Sequence, residues 1–256
     1  MRKEILDQFR RCGDKVSEAI GSEDLEREEY MGEGADGTPT KRIDEVAEVA
    51  ALEHLQDNTD FSILSEEIGL VEQEGDGYVI MDPIDGTNNA IFEIPFYCIS
   101  LAYSPSDLSE VEVGYVRNLS TGVEYHALKG EGAFKGGSPL NPESGDDMTV
   151  SLYLGKNAVP ESYEIAPRAR RVRSLGSAAL SMCMVAEGTF DLFYHRTPDE
   201  QKSLRIMDIA ASTLILREVG GEVYGKDGEK LNMEISPVDR KDVIAIYDEE
   251  IKEELL

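Results

Sequence analysis

The run VIMDPIDGTNNAIF, from Val79 to Phe92, restricts this chain more than any other stretch. Aspartate and proline both disfavour strand interiors, so an apolar strand is expected to end near Met81. Asp82 and Asp85 then flank Pro83 and Ile84, Gly86 frees the backbone for a tight turn, and Thr87 sets a hydroxyl beside the two carboxylates. Exposed turns are built from the same residue types. Two acids fixed at a strand end are costly, however, unless water or a cation solvates them. The turn is therefore a candidate metal site.

The length, 256 residues, suffices for one large domain or two fused halves. The opening MRKEILDQFRR is charged where a signal peptide is apolar, and no later segment reaches the unbroken apolar length of a membrane helix. Cys12, Cys98 and Cys183 are odd in number and far apart, which reads as reduced thiols in a soluble cytoplasmic protein. His54, His126 and His195 are isolated, which disfavours zinc. The 25 basic and 52 acidic residues leave a net charge of −27, with the acids spread along the whole chain. Such a surface repels nucleic acid and gives a membrane no anchor, and it fits adaptation to high salt, where counter-ions screen self-repulsion.

Apolar spacing predicts a helix over about Lys3–Glu29, with a kink possible at Gly13. The glycine-rich Gly32–Asp44 stretch, including Asp36, Gly37 and Thr38, is expected to be a mobile loop and a candidate lid. A helix over Glu45–Leu55 and a strand over Phe61–Glu67 follow. YVIMD, CISLAYS, VEVGYVRN and GVEYHALK read as strands of an antiparallel sheet. Beyond it, MTVSLYL, TFDLFYH and DVIAIY read as strands, with SAALSMCMVAEG, DIAASTLILREVGG and DEEIKEELL as helices. The pattern predicts an α+β fold: a first half, about 1–140, with antiparallel sheet and a second, about 141–256, of α/β type, joined near 136–147 as one catalytic domain.

Acids recur at strand and helix ends: Glu66 after FSILS, Asp82 and Asp85 after YVIM, and Asp208 at the start of an otherwise apolar helix. Asp208 alone is explained by an N-cap and Glu66 alone by a flanking acid. Together they suit a hard divalent cation such as Mg²⁺, which takes oxygen ligands and couples carboxylates to a substrate phosphate. Two such ions roughly 4 Å apart activate a water and stabilise a leaving oxygen.

With SEE at Ser65–Glu67, DPIDGT at Asp82–Thr87 and DIAA at Asp208–Ala211, the chain resembles the magnesium-dependent, lithium-sensitive phosphatases that include inositol monophosphatase and fructose 1,6-bisphosphatase. GADGTPTKRID and RSLGSAAL resemble the archaeal branch, whose members often hydrolyse both substrates. The resemblance runs in order along nearly the whole chain and implies a layered α-β-α-β-α sandwich. It assigns Glu66, Asp82, Asp85, Asp208 and the Ile84 carbonyl to two or three Mg²⁺ ions, with Mn²⁺ an alternative. Asp44, Glu66 and Thr87 would be catalytic, Thr87 with Asp44 behind it polarising the attacking water. Asp85, Gly86, Thr87, Gly176, Ser177 and Ala178 would contact the substrate, the last three as a helix N-terminus around phosphate. Arg173 and Arg196 occupy the positions of substrate-binding arginines. RTPDEQKSLR is longer than the connection in relatives, which makes Arg205 an alternative, and Met207 replaces a common Trp. The implied activity is hydrolysis of fructose 1,6-bisphosphate and/or inositol 1-phosphate in carbohydrate metabolism (gluconeogenesis), by a homodimer.

Three other readings remain in play. A phosphonucleotide (3′-phosphoadenosine 5′-phosphate) phosphatase shares the metal core. An aspartyl-nucleophile phosphatase needs a D-x-D spacing that Asp82 and Asp85 lack. A non-catalytic cation-binding regulator would use the acids as a sink.

Overall fold

The computed structural model describes residues 1–21, 25–34, 37, 39–143 and 147–255. Asp36 and Thr38 of the expected lid lie outside the described residues. The chain opens with α1 (Arg2–Ile20), the hairpin β1 (Tyr30–Glu33) and β2 (Pro39–Lys41), and α2 (Arg42–Asn58). Then come β3 (Phe61–Ser65), β4 (Gly69–Val71), β5 (Gly75–Asp85), α3 (Thr87–Ile91), β6 (Cys98–Ser104), β7 (Val113–Asn118), β8 (Glu124–Leu128), β9 (Gly132–Lys135) and β10 (Ser138–Pro139). The second half holds β11 (Thr149–Leu152), α4 (Pro160–Ile165), β12 (Arg171–Arg173), α5 (Ala178–Ala186), β13 (Leu192–His195), β14 (Leu204–Arg205), α6 (Ile206–Arg217), β15 (Glu222–Tyr224), β16 (Arg240–Lys241), β17 (Val243–Ile246) and α7 (Glu249–Leu255).

Two sheets organise these elements. The first runs β10-β9-β8-β7-β6-β5-β3-β4, and the second β12-β11-β13-β17-β15. Strand alternation sends successive side chains to opposite faces. On β5, Val79 and Met81 join a core under α1 and α2, while Ile80 faces α5 and α6. On β17, Val243 and Ala245 face α5 and α6, while Ile244 and Ile246 join an outer core with Ile165 of α4 and Ile251 of α7. The result is α-β-α-β-α layering. The central helices carry no amphipathic stripe because both of their faces are covered: every residue of α6 from Ile206 to Leu216 is buried. By contrast, α1 buries Ile5, Leu6, Phe9, Cys12, Gly13, Val16 and Ile20 along one face.

Several expectations change. The first helix ends at Ile20, short of Glu29, and continues past Gly13, which is buried against Tyr115. The glycine-rich stretch takes in the end of β1 and all of β2, and α2 begins at Arg42, before Asp44. The first sheet is antiparallel except that β3 pairs parallel with β5. The second sheet is mixed: β12 and β13 flank β11 in parallel, while β17 runs antiparallel to both its neighbours. The largest change is at β5, which continues through Asp82 to Asp85. Asp82 pairs with Ser100 and Asp85 with Cys98, so three steps on β5 oppose two on β6. This bulge gives Pro83 a place in the strand where no N–H is required, and it re-aims the acids that follow.

The layer that carries Asp208 is fixed by a close approach of backbones. A Cβ on Gly114 of β7 would meet the Ala211 carbonyl oxygen of α6 at 2.6 Å. Gly114→Val should therefore push α6 off the sheet and cost about 1–3 kcal/mol. Chemical denaturation of the variant checks this; an unchanged midpoint would show that the contact tolerates a side chain.

Candidate active site

The bulged end of β5, the end of β3 and the start of α6 converge. Single carboxylate oxygens of Glu66, Asp82 and Asp208 all lie within 4.8 Å of one another. Asp82 is 2% exposed and accepts from its own turn, Ile84 N–H to Oδ1 at 3.0 Å. Burial, reinforced by Glu66, Asp85 and Asp208, pushes its pKa well above the usual carboxylate range. Burial likewise pushes Glu66 up to about 8 against the opposing pull of Arg205. Asp208 takes the third helical position of α6 and accepts from the Arg205 backbone N–H at 2.6 Å, closing a capping box.

Arg205 is 5% exposed, and its guanidinium bonds Glu66 and lies 3.4 Å from Asp208. Burial opposes its charge, but Asp208 and Glu66 hold its pKa above the ordinary value. Asp85 is satisfied by donors of its own. Its Oδ2 accepts from Ser177 Oγ at 2.6 Å and Ala179 N–H at 2.7 Å, and its Oδ1 from Ala178 N–H at 3.2 Å. Burial raises it to about 6, less than its surroundings alone would, because these donors favour the charged form. The α5 amides expected around a substrate phosphate are thus engaged by Asp85.

Gly86 holds φ at +97°, and a Cβ there would lie 3.1 Å from the Phe96 carbonyl and 3.2 Å from that of Gly176, so the turn requires glycine. Beyond it, Thr87 Oγ1 lies 2.9 Å from Asp44 Oδ1 and 3.3 Å from the Ile84 carbonyl oxygen, so its one proton serves either acceptor. Asp44 also accepts from the Lys41 backbone N–H at 3.2 Å, and burial raises its pKa to about 7.

Asp85, Gly176, Ser177, Ala178, Arg205 and Asp208 help to line a cleft of about 520 Å³. Arg173 is exposed, one residue from the cleft wall at Ser174, and bonds the Val172 carbonyl. Arg196 is not brought to the cleft: it bonds Tyr194 Oη at 3.1 Å and lies 3.5 Å from Asp242, lining a separate hollow.

Four contributors were missed in the sequence. Lys202 and Arg240 bring further cations to the cleft wall. Asn89 Nδ2 donates to the carbonyls of Phe96 at 2.7 Å and Leu175 at 2.6 Å, tying α3 to the wall. Glu48 is 1% exposed and accepts from Ser65 Oγ and from the N–H groups of Glu67 and Ile68, each at 3.2 Å. It thereby clamps the turn that presents Glu66. A signal existed: Glu48 sits one helical turn after Asp44, on the stripe with Ala47, Ala51 and Leu55.

The donor set fits a hard cation. Glu66, Asp82 and Asp208 are all-oxygen, convergent and electrostatically unfavourable to one another, and the Ile84 carbonyl lies beside the Thr87 hydroxyl. Glu48→Ala should loosen the Glu66 turn and raise the Mg²⁺ concentration for half-maximal stabilisation about 10- to 100-fold. Titration of the melting temperature with Mg²⁺ checks it. A pH effect follows as well. Asp44, Glu66 and Asp85, at about 7, 8 and 6, hold protons that the unfolded chain has lost above about pH 4. Stability of EDTA-treated protein should be greatest below pH 4 as far as these groups decide it. It should then fall as pH rises through 6–8, and saturating Mg²⁺ should flatten the slope. Melting curves across that range in EDTA and in Mg²⁺ test the sign.

The profile of the inositol monophosphatase family matches residues 2–255. A fructose-1,6-bisphosphatase/inositol-1-monophosphatase of Archaeoglobus fulgidus is 38% identical over 95% of this chain and 93% of its own. A bifunctional NADP phosphatase/NAD kinase of Methanococcus maripaludis is 34% identical over 82% of this chain, which spans 41% of that protein. Among solved structures, an inositol monophosphatase-fructose 1,6 bisphosphatase superposes with a TM-score of 0.86 at 26% identity, covering 98% of both chains.

Proposed function

The chain belongs to the inositol monophosphatase family, and from that membership we propose that it hydrolyses phosphomonoesters of small sugars with Mg²⁺, fructose 1,6-bisphosphate and inositol 1-phosphate first among them. The observation that carries this reading is the convergence of Glu66, Asp82 and Asp208 within 4.8 Å beside the cleft. The Archaeoglobus relative, named for both activities and aligned over nearly the whole chain, supports the substrate pair.

In this reading Glu66, Asp82, Asp208 and the Ile84 carbonyl hold the metal, which when bound supplies Lewis-acid charge neutralisation at the phosphoryl oxygens. The chain's own groups do the rest. Thr87 orients the attacking water through its hydroxyl oxygen and passes its proton to Asp44 as it takes one from that water. Asp44, near pKa 7, is matched to receive that proton at neutral pH. Asp85, held by α5, is the acceptor for a hydroxyl of the sugar. Gly176, whose φ is +78°, lines the cleft without a side chain, and Gly86 packs closely against its carbonyl. A homodimer in the cytoplasm completes the proposal.

A second reading, a nucleotide 2′- or 3′-phosphatase, is favoured by the NADP phosphatase relative. Phosphate release from fructose 1,6-bisphosphate, inositol 1-phosphate and NADP, each in Mg²⁺ and in EDTA, decides between them. Asp82→Asn should lower kcat about 10²–10³-fold, the scale of losing one group that stabilises developing charge. Mg²⁺-dependent turnover at the wild-type rate in that variant would remove the metal assignment.

A further inference from the structure

One segment runs against the charge of the whole molecule. Between Ile165 and Ala186 there is no acidic residue, in a chain where 52 of 256 are acidic. Inside that segment, PRARRVRS sets Arg168, Arg170, Arg171 and Arg173 within six positions, and all four are exposed. Arg170 is tied to Asp147. Edge strands commonly carry charges that discourage pairing with other chains, and β12 is the edge of its sheet. That accounts for charge on the strand, and leaves its sign open on a protein twice as rich in acids.

The run adjoins the cleft. Arg173 lies in register with Ser151, a cleft-lining residue on β11, and paired residues of neighbouring strands share a face about 4.8 Å apart. Arg171 lies in register with Thr149, one step back on the same face. After Arg173 the chain continues directly into Ser174, Leu175, Gly176 and Ser177, all of which line the cleft. Lys202 and Arg240 stand in the cleft wall itself.

We propose that this arginine run is the approach surface for the phosphate-bearing substrate. The proposal rests on the phosphatase reading given above. A phosphomonoester is a dianion near neutral pH, and a net charge of −27 repels it. Charges beyond about 8 Å are largely screened at physiological ionic strength, so the few cations at the mouth outweigh the distant acids. The run therefore governs encounter, and with it kcat/KM, while leaving turnover alone.

The sign of a salt effect tests this. Approach dominated by the whole-chain charge makes kcat/KM rise with KCl, whereas approach over the arginine run makes it fall. The variant Arg168→Gln/Arg171→Gln spares the Asp147 pair and leaves Arg173, at a substrate-binding position, in place. At physiological KCl it should lose about tenfold in kcat/KM, the lower end of electrostatic steering, with kcat unchanged and the slope against further salt flat or reversed. The matching double variant Arg168→Lys/Arg171→Lys should restore the wild-type value, since steering needs charge alone. A rising wild-type slope, a Gln variant with wild-type kcat/KM, or a Lys variant as impaired as the Gln variant would each overturn the proposal. Wild-type protein that hydrolyses no phosphomonoester would overturn the functional reading instead. Calorimetric binding of inorganic pyrophosphate then serves as the probe: about tenfold weaker binding in the Gln variant supports the approach surface, and equal binding overturns it.

Discussion

Mutual repulsion among buried carboxylates is the constraint around which this molecule is arranged. Glu66, Asp82, Asp85 and Asp208 come from the turn after β3, from β5 and from α6, and each is brought to a place where water cannot fully solvate it. The chain relieves them unequally. Asp85 receives two backbone N–H groups and a hydroxyl at the start of α5, where the helix dipole also favours an anion. Glu66 and Asp208 share the Arg205 guanidinium. For Asp82, the hydrogen bond within the protein, among the described residues, is the one from Ile84 N–H. The acid with least relief sits among the other three, which is where a divalent cation gains most.

That arrangement explains what the sequence revealed and what it hid. The acids were legible because DPIDGT, SEE and DIAA place unusual residues beside apolar runs; strand and helix periods gave the α+β class, and the layering came from the family resemblance. The run of β5 to Asp85 was hidden because a bulge is a property of two strands, and Pro83 signals a strand end when β6 is not in view. Arg205 was legible as a cation near the site. Its partners were not, since a guanidinium reaches several ångströms and three acids compete for it. Arg196 follows β13 at a suggestive position, yet Asp242 and the Tyr194 ring and hydroxyl take up its side chain. Glu48 reads as one more surface acid in a helix that has several; only the fold turns it toward the amides after Ser65.

The cost of holding such a site falls on the layers around it. A buried anion is tolerated only where the surrounding structure over-determines its position. Here α6, which presents Asp208, is apolar along most of its length and wedged between two sheets, close enough to β7 that Gly114 meets the Ala211 carbonyl. Packing of that kind transmits strain and does not yield gradually. The polar turn and the apolar wedge are thus one device: the wedge supplies the rigidity that the turn's electrostatics would otherwise dissipate.

The same chain carries a surplus of 27 negative charges, and the two problems have different physics. At the surface each acid is hydrated, and its field fades over about 8 Å at physiological salt, so dispersal along the chain suffices. Within the cluster, oxygens under 5 Å apart have little water between them, and ionic strength cannot screen them. Surface acids can therefore accumulate without assigned partners, whereas every buried acid needs a donor, a guanidinium or a metal. A chain this acidic that nonetheless places Arg205 beside Glu66 and Asp208, and aims the start of α5 at Asp85, separates the charges it disperses from the charges it uses.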